Sequence, residues 1–255
     1  FDMHAEQVTE EDLIKAMVGR SMDHRFPERT PNIGEEVLRI EDWTVHHPIQ
    51  QERKVVDGAS LYVRRGEVVG LAGLMGAGRT ELAMSLFGRT YGTNISGRVI
   101  KDGKDVTPAT VGDAIRAGIA YATEDRKRYG LNLLADIKRN VAAASLEKVS
   151  KYGVVDGGAE ARVASRFRDD LNIKAPSVDV TAGNLSGGNQ QKVVLSKWIF
   201  TDADVLILDE PTRGIDVGAK YEIYTIINQL AAEGKGILMI SSEMPELLGT
   251  CDRIY

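Results

Sequence analysis

Cysteine is nearly absent: the chain of 255 residues holds one, Cys251. A disulfide framework and a cysteine-ligated zinc site are thereby excluded, and a single thiol fits a reducing compartment. Long apolar runs are also missing. No uninterrupted stretch approaches the roughly 20 residues that cross a bilayer, and the amino terminus has no signal-peptide order. If the protein works at a membrane, something else must span it. A surplus of positive charge is lacking too. Lys plus Arg number 32 against 37 Asp plus Glu, and the net charge of −5 argues against broad attraction to nucleic acid or anionic lipid. What remains is close to a soluble globular domain: 43% hydrophobic and 27% charged, with length enough for a sizeable core. Glycine alone is enriched, at 26 residues.

The first 35 residues are polar and carry Pro27 and Pro31. Thr9 can cap a short helix whose first turn holds Glu10, Glu11 and Asp12 and which Gly19 ends, so residues 1–35 read as a linker with a docking helix. From Val37 the pattern becomes strand-like. Val37 to Ile40 and Val55 to Val63 alternate, and Glu67 to Ala72 is a buried run entering a glycine-rich turn. Asp102-Gly103 is a hairpin signal between Arg98 to Ile100 and Val106. Ile119 to Ala122, Val205 to Leu208 and Ile237 to Ile240 are short apolar strands. Residues 136–173 read as helical, interrupted by Gly153 and Gly157-Gly158, and further helices are expected at 217–227 and 245–248. Strands alternating with helices predict an α/β fold with a mostly parallel sheet.

Three segments carry chemistry. Gly73, Gly76, Ala77, Gly78, Arg79, Thr80 and Glu81 lie between a buried strand and a helical pattern, the context of a phosphate-binding loop. The expected Lys is replaced by Arg79, a wider planar fork. Thr80 can ligate Mg²⁺. A glycine turn that merely packs a helix on a sheet is the alternative. Val205 to Leu208 runs into Asp209 and Glu210, which places Asp209 for magnesium and Glu210 for polarising water. The alternative there is a strand exit with solvated acids. Ser186, Gly187, Gly188 and Asn189 open a helix and offer a hydroxyl and N–H groups to an anion, unless they are a plain cap.

LSGGNQQK (Leu185 to Lys192), roughly 105 residues after the glycine loop and 20 before the Asp209 strand, makes the chain resemble an ABC-type ATPase. With EDRKRYG (Glu124 to Gly130), ILDEPTRGIDVGAK (Ile207 to Lys220) and ISSEMPELL (Ile240 to Leu248), it resembles the second ATPase domain of tandem ribose, galactose and xylose importers, the xylose type being most similar. The resemblance implies a P-loop NTPase of ABC ATPase type over residues 36–255. Its parallel sheet core would carry an antiparallel β subdomain and a helical subdomain at about 124–180. The lack of an initial Met, and a family pattern that continues past Tyr255, lead us to expect a piece of a longer chain with a truncated carboxyl end.

The resemblance further implies ATP and Mg²⁺ as cofactors. It places each ATP between the glycine loop of one domain and the signature of another. The implied partners are a second ABC ATPase domain, transmembrane permease subunits that dock on the helical subdomain and, indirectly, a periplasmic sugar-binding protein, with no nucleic acid. The implied location is peripheral, on the cytoplasmic side of the inner membrane. Glu124 stands at the usual Gln of the Q-loop, Ser242 at the switch His, and His47 best matches the adenine-stacking position, with His46 and Trp43 nearby. Arg213 to Asp216 fall in the D-loop, where Asp216 can equally cap a helix. Since Arg79, Glu124 and Ser242 depart from the hydrolytic pattern while Glu210 survives, a site that binds ATP but hydrolyses it poorly is expected. A regulatory nucleotide-binding scaffold and a non-transport ABC ATPase are the competing readings. The acidic balance opposes the second.

Overall fold

The structure, a computed structural model, describes residues 25–74 and 76–255; the expected helix after Thr9 lies outside the described residues. Two sheets organise the chain. In the first, β1 (Glu36–His46) lies between β2 (Lys54–Arg64) and β4 (Thr93–Lys101), all antiparallel, with the short β5 (Lys104–Asp105) at the edge. β1 and β2 alternate over much of their length, as one-sided antiparallel strands should. The Asp102-Gly103 turn has φ of 49° and 75°, the positive pair that a two-residue hairpin demands.

The second sheet is parallel. Its order places β11 (Arg253–Ile254) beside β3 (Val68–Leu71), followed by β10 (Gly236–Ile240), β9 (Val205–Asp209) and β6 (Ile119–Ala122). Every residue of β6, β9 and β10 is buried, which explains their unbroken apolar sequences. Helices α1 (Arg79–Leu86), α2 (Val111–Arg116), α5 (Gly187–Phe200), α6 (Val217–Ala232) and α7 (Met244–Thr250) pack on this sheet, while α3 (Ile137–Ala142) and α4 (Gly157–Asp170) pack on each other and on α5. α6 starts where Asp216 accepts a hydrogen bond from the Ala219 N–H, so the capping reading of Asp216 holds.

The lobe between β6 and α5 is less helical than its composition predicts. A π-helical turn spans Arg126–Gly130, and a 3₁₀ turn at Leu146–Val149 leads into a hairpin of β7 (Ser150–Lys151) and β8 (Val154–Val155). Gly153 sits in the hairpin turn at φ 79°. Gly157 and Gly158 do not interrupt a helix; they begin α4, because Asp156 accepts from the N–H groups of Gly158 and Ala159. Among the described residues, no helix is long and apolar enough to cross a membrane.

Candidate functional site

The loop from Gly73 joins the carboxyl end of β3 to α1, the place where open parallel sheets bind ligands. Gly78 is the helix N-cap, with φ 82° and no side-chain cap bond, so the first N–H groups of α1 stay open to an anion. A Cβ at Gly78 would stand 2.2 Å from the Val55 carbonyl oxygen, so β2 presses directly on the loop. A cavity of about 370 Å³ opens over it. Gly76, Ala77, Gly78, Arg79, Thr80 and Glu81 form one wall, and Glu124, Glu210, Arg213, Ser242 and Glu243 form the other.

Arg79 is turned inward. One guanidinium nitrogen donates to the Ser241 carbonyl at 2.6 Å and the other stands 3.8 Å from Glu210 Oε1, both side chains about nine-tenths buried. The second nitrogen also faces the Leu74 carbonyl at 3.4 Å. Glu210 takes φ 47°, a left-handed conformation that costs a non-glycine residue about 1–3 kcal/mol. Its N–H is held by the Ile240 carbonyl, which fixes the residue across the β9 and β10 ends.

Asp209 ends β9 at 1% exposure. Its Oδ2 accepts from the Tyr121 hydroxyl at 2.9 Å, while Oδ1 is buried with no hydrogen-bond partner. Burial pushes its pKa up to about 6, partly offset by the Thr80 and Tyr121 hydroxyls. Burial likewise drives the Tyr121 phenol upward, so it serves Asp209 as a neutral donor. No motif pointed to Tyr121. Its signal is register, since it pairs with Ile207 on the strand that delivers Asp209. Thr80 faces Glu124 Oε2 at 3.4 Å, and the other Glu124 oxygen pairs with Arg213. The cavity thus gathers Arg79, Thr80, Glu81, Glu124, Glu210 and Ser242, with Asp209 beneath.

Other expected residues lie apart from that wall. Ser186 is the N-cap of α5 but makes no cap bond; its Oγ accepts from Asn189 Nδ2 at 2.9 Å. Asn189 Oδ1 in turn receives the Lys174 N–H at 2.9 Å, so its side chain is committed within the chain. The N–H groups at Gly187 and Gly188 open a 14-residue helix without a side-chain cap. His47 Nδ1 accepts from the Ile49 and Gln50 N–H groups, and its ring meets Tyr91 edge-on at 6.5 Å. Trp43 is fully buried, its indole N–H donating to Ser85 Oγ at 2.9 Å, which removes it as a stacking surface.

A family model described as "ABC transporter" matches residues 56–213. The chain belongs to the ABC transporter family. It is 61% identical over its whole length to the L-arabinose transport ATP-binding protein of Geobacillus stearothermophilus, covering 50% of that protein. Over 98% of its length it is 47% identical to the xylose import ATP-binding protein of Thermoanaerobacter pseudethanolicus, covering 49% of it. The chain therefore spans about half the length of the curated relatives it matches. A nucleotide-free ATP-binding cassette from an ABC transporter superposes with a TM-score of 0.73 at 22% identity, covering 87% of each chain. A dimeric cassette in a post-hydrolysis state bound to ADP and Pi gives 0.71 at 18%, covering 85% of this chain and 92% of that one. These likenesses establish the fold: an ABC ATPase cassette with a parallel sheet and an antiparallel β subdomain.

Proposed function

We propose that the chain is one nucleotide-binding half of the ATPase of a bacterial pentose importer, and that its own site holds MgATP but turns it over slowly. The arabinose and xylose transport relatives support the substrate class. The observation that carries the site is the pairing of a glycine loop and uncapped helix start with the buried, half-partnered Asp209.

Those residues fit a magnesium ion. The orphaned Asp209 Oδ1 and the desolvated charge of that carboxylate are both relieved by a cation, and Thr80 adds a hydroxyl. Held by Asp209 and Thr80, such an ion would supply positive charge to neutralise phosphate. The chain's own groups do the rest. The N–H groups at the start of α1 cradle phosphate, Arg79 supplies positive charge, and Glu210 orients water. Arg79 must share its fork between phosphate, the Ser241 carbonyl and Glu210. Ser242 brings a hydroxyl where a cationic or hydrogen-bonding ring is usual, and Glu124 adds a negative charge beside Thr80. The Ser242 and Glu124 replacements each weaken neutralisation of the γ-phosphate, hence slow turnover.

Ser186, Gly187 and Gly188 serve a second site, on a partner ATPase domain whose glycine loop faces them. The open N–H groups of α5 support this reading. A groove of about 380 Å³ lined by Met84, Phe87, Ile115, Tyr129 and Trp198 is a suitable seat for a permease helix, and it supports a peripheral position on the cytoplasmic face of the membrane. A sugar-binding protein acts through that permease. The test compares ATP binding and turnover of this chain alone and with its partner domain. Expected are micromolar-range ATP binding and turnover that appears only with the partner. Turnover of the lone chain equal to that of the pair, or no nucleotide binding, refutes the proposal. A turnover-free regulatory site is favoured by the engaged Arg79, and transport that persists with Glu210→Gln would select it.

A further inference from the structure

Glu246, on α7, is a carboxylate at 2% exposure that no ion pair accounts for among the described residues. It is instead surrounded by hydroxyls. Its Oε1 accepts from Thr212 Oγ1 at 2.5 Å and its Oε2 from Ser241 Oγ. The Tyr224 hydroxyl, on α6, also reaches the pair formed by Thr212 and Glu246. Thr212 is itself 1% exposed and Ser241 1%. Ser241 Oγ receives the Glu243 N–H at 3.0 Å, so its own proton is directed at Glu246.

These contacts close a circuit. Thr212 follows Glu210 by two residues, on the loop after β9. Ser241 precedes Ser242 on the loop after β10, and its carbonyl is the anchor for Arg79. Arg79 returns to Glu210. In a buried setting the members of a carboxyl–hydroxyl network orient one another. A buried carboxyl group met by hydroxyls is a costly choice where an apolar side chain would pack. Here its return is geometric: one carboxylate sets the distance between the two loops that frame the cavity.

Resting on the reading of that cavity as an ATP site, we infer that Glu246 is a positioning residue for it, holding the Ser241 carbonyl and the Thr212 loop so that Arg79 is presented to the γ-phosphate. Glu246 touches no ligand. Its effect on binding passes through Ser241 to Arg79, and therefore falls on ATP more than on ADP.

The experiment measures the affinities of ATP and ADP with magnesium, by calorimetry, for the unaltered protein and for Glu246→Gln, Thr212→Val and Thr212→Ser, alongside their thermal midpoints. Glu246→Gln and Thr212→Val should each reduce the preference for ATP over ADP by about tenfold, a size common when an orienting group is lost. Thr212→Ser keeps the hydroxyl and should keep the preference, even where its midpoint falls. If Glu246→Gln does not fold, the contrast between the two Thr212 variants decides alone. A lowered midpoint with an unchanged ATP-to-ADP preference in Glu246→Gln and Thr212→Val means packing only, and overturns the inference while leaving the site intact. Failure of the unaltered protein to bind either nucleotide overturns the reading of the site and the inference with it.

Discussion

Gly76 and Gly78 have almost the same backbone, φ 81° and φ 82°, yet replacing each with alanine should have different effects. In both, a Cβ in the left-handed region costs about 1–2 kcal/mol. Both substitutions also stiffen the unfolded chain equally, so that term cancels in the comparison. At Gly76 nothing lies within 4 Å of the new Cβ. At Gly78 the Val55 carbonyl oxygen lies 2.2 Å away and its carbon 3.3 Å away, so β2 or the loop must shift by about an ångström, which overpacking data put at about 1–3 kcal/mol. For a domain of this size each kcal/mol moves Tm by about 2–4 °C. Gly76→Ala should lower Tm by about 4 °C and Gly78→Ala by about 10 °C, measured by calorimetry without nucleotide. Nucleotide affinity should fall more for Gly78→Ala, because the displaced backbone is the proposed phosphate cradle. Equal Tm shifts would refute the claim that β2 presses on the loop.

Lys197 is buried between the Gly130 carbonyl, 2.6 Å from its Nζ, and the Trp198 ring, and burial lowers its pKa from 10.5 to about 8. The folded chain then binds fewer protons than the unfolded chain between those values, so the free energy of unfolding should rise with pH from about 8 to about 10.5, by on the order of 3 kcal/mol at most. Lys197→Met should abolish the rise, as followed by urea unfolding at several pH values; a rise that survives assigns it elsewhere. Cys251 has its thiol pushed up to about 12 by burial. Native labelling by a thiol reagent at pH 8 should be about a thousandfold slower than in denaturant, and comparable rates would show an open site. His47→Ala should weaken nucleotide binding by about fivefold if its ring stacks on the base, in the range of single stacking contacts. An unchanged affinity places the base elsewhere.

Much of the fold was legible because burial dictates composition. The strands at 119–122, 205–209 and 236–240 read as apolar runs since both of their faces are covered, and Asp209 stood out as the acid that ends one of them. Residues 150–155 did not read as a hairpin: their two-residue strands are too short for a period, and the turn residue Tyr152 at φ 52° is no usual turn former. Gly157-Gly158 misled for a related reason, as glycine signals a break without saying on which side the helix lies. Asp156 carried that information. Within the site, the motif residues were legible and their partners were not. Arg79 meets Ser241 across 162 positions and Trp43 meets Ser85 across 42, contacts that no local pattern encodes.

Arg79, Glu124 and Ser242 look like three separate losses in the sequence; in the structure they line one cavity. The Arg79 fork spans Ser241 and Glu210, a reach that needs two separated nitrogens; a lysine ammonium has a single nitrogen to offer to both. Ser242, next to the anchoring Ser241, leaves the wall open beside that guanidinium where a ring would stand. Glu124 adds a negative charge to a cavity already lined by Glu81, Glu210 and Glu243, and it is matched by Arg213, whose carbonyl in turn receives Arg126 at 2.9 Å. A lysine at 79 leaves Glu210 or the Ser241 carbonyl without its partner, and a glutamine at 124 takes the opposing charge from Arg213. Single changes at 79 or 124 therefore strand a carboxylate, a carbonyl or a guanidinium, and energies at residues sharing one network do not add. Arg79, Glu210 and Ser241 thus form one arrangement of the site, which the proposed role of Glu246 would hold in place from behind.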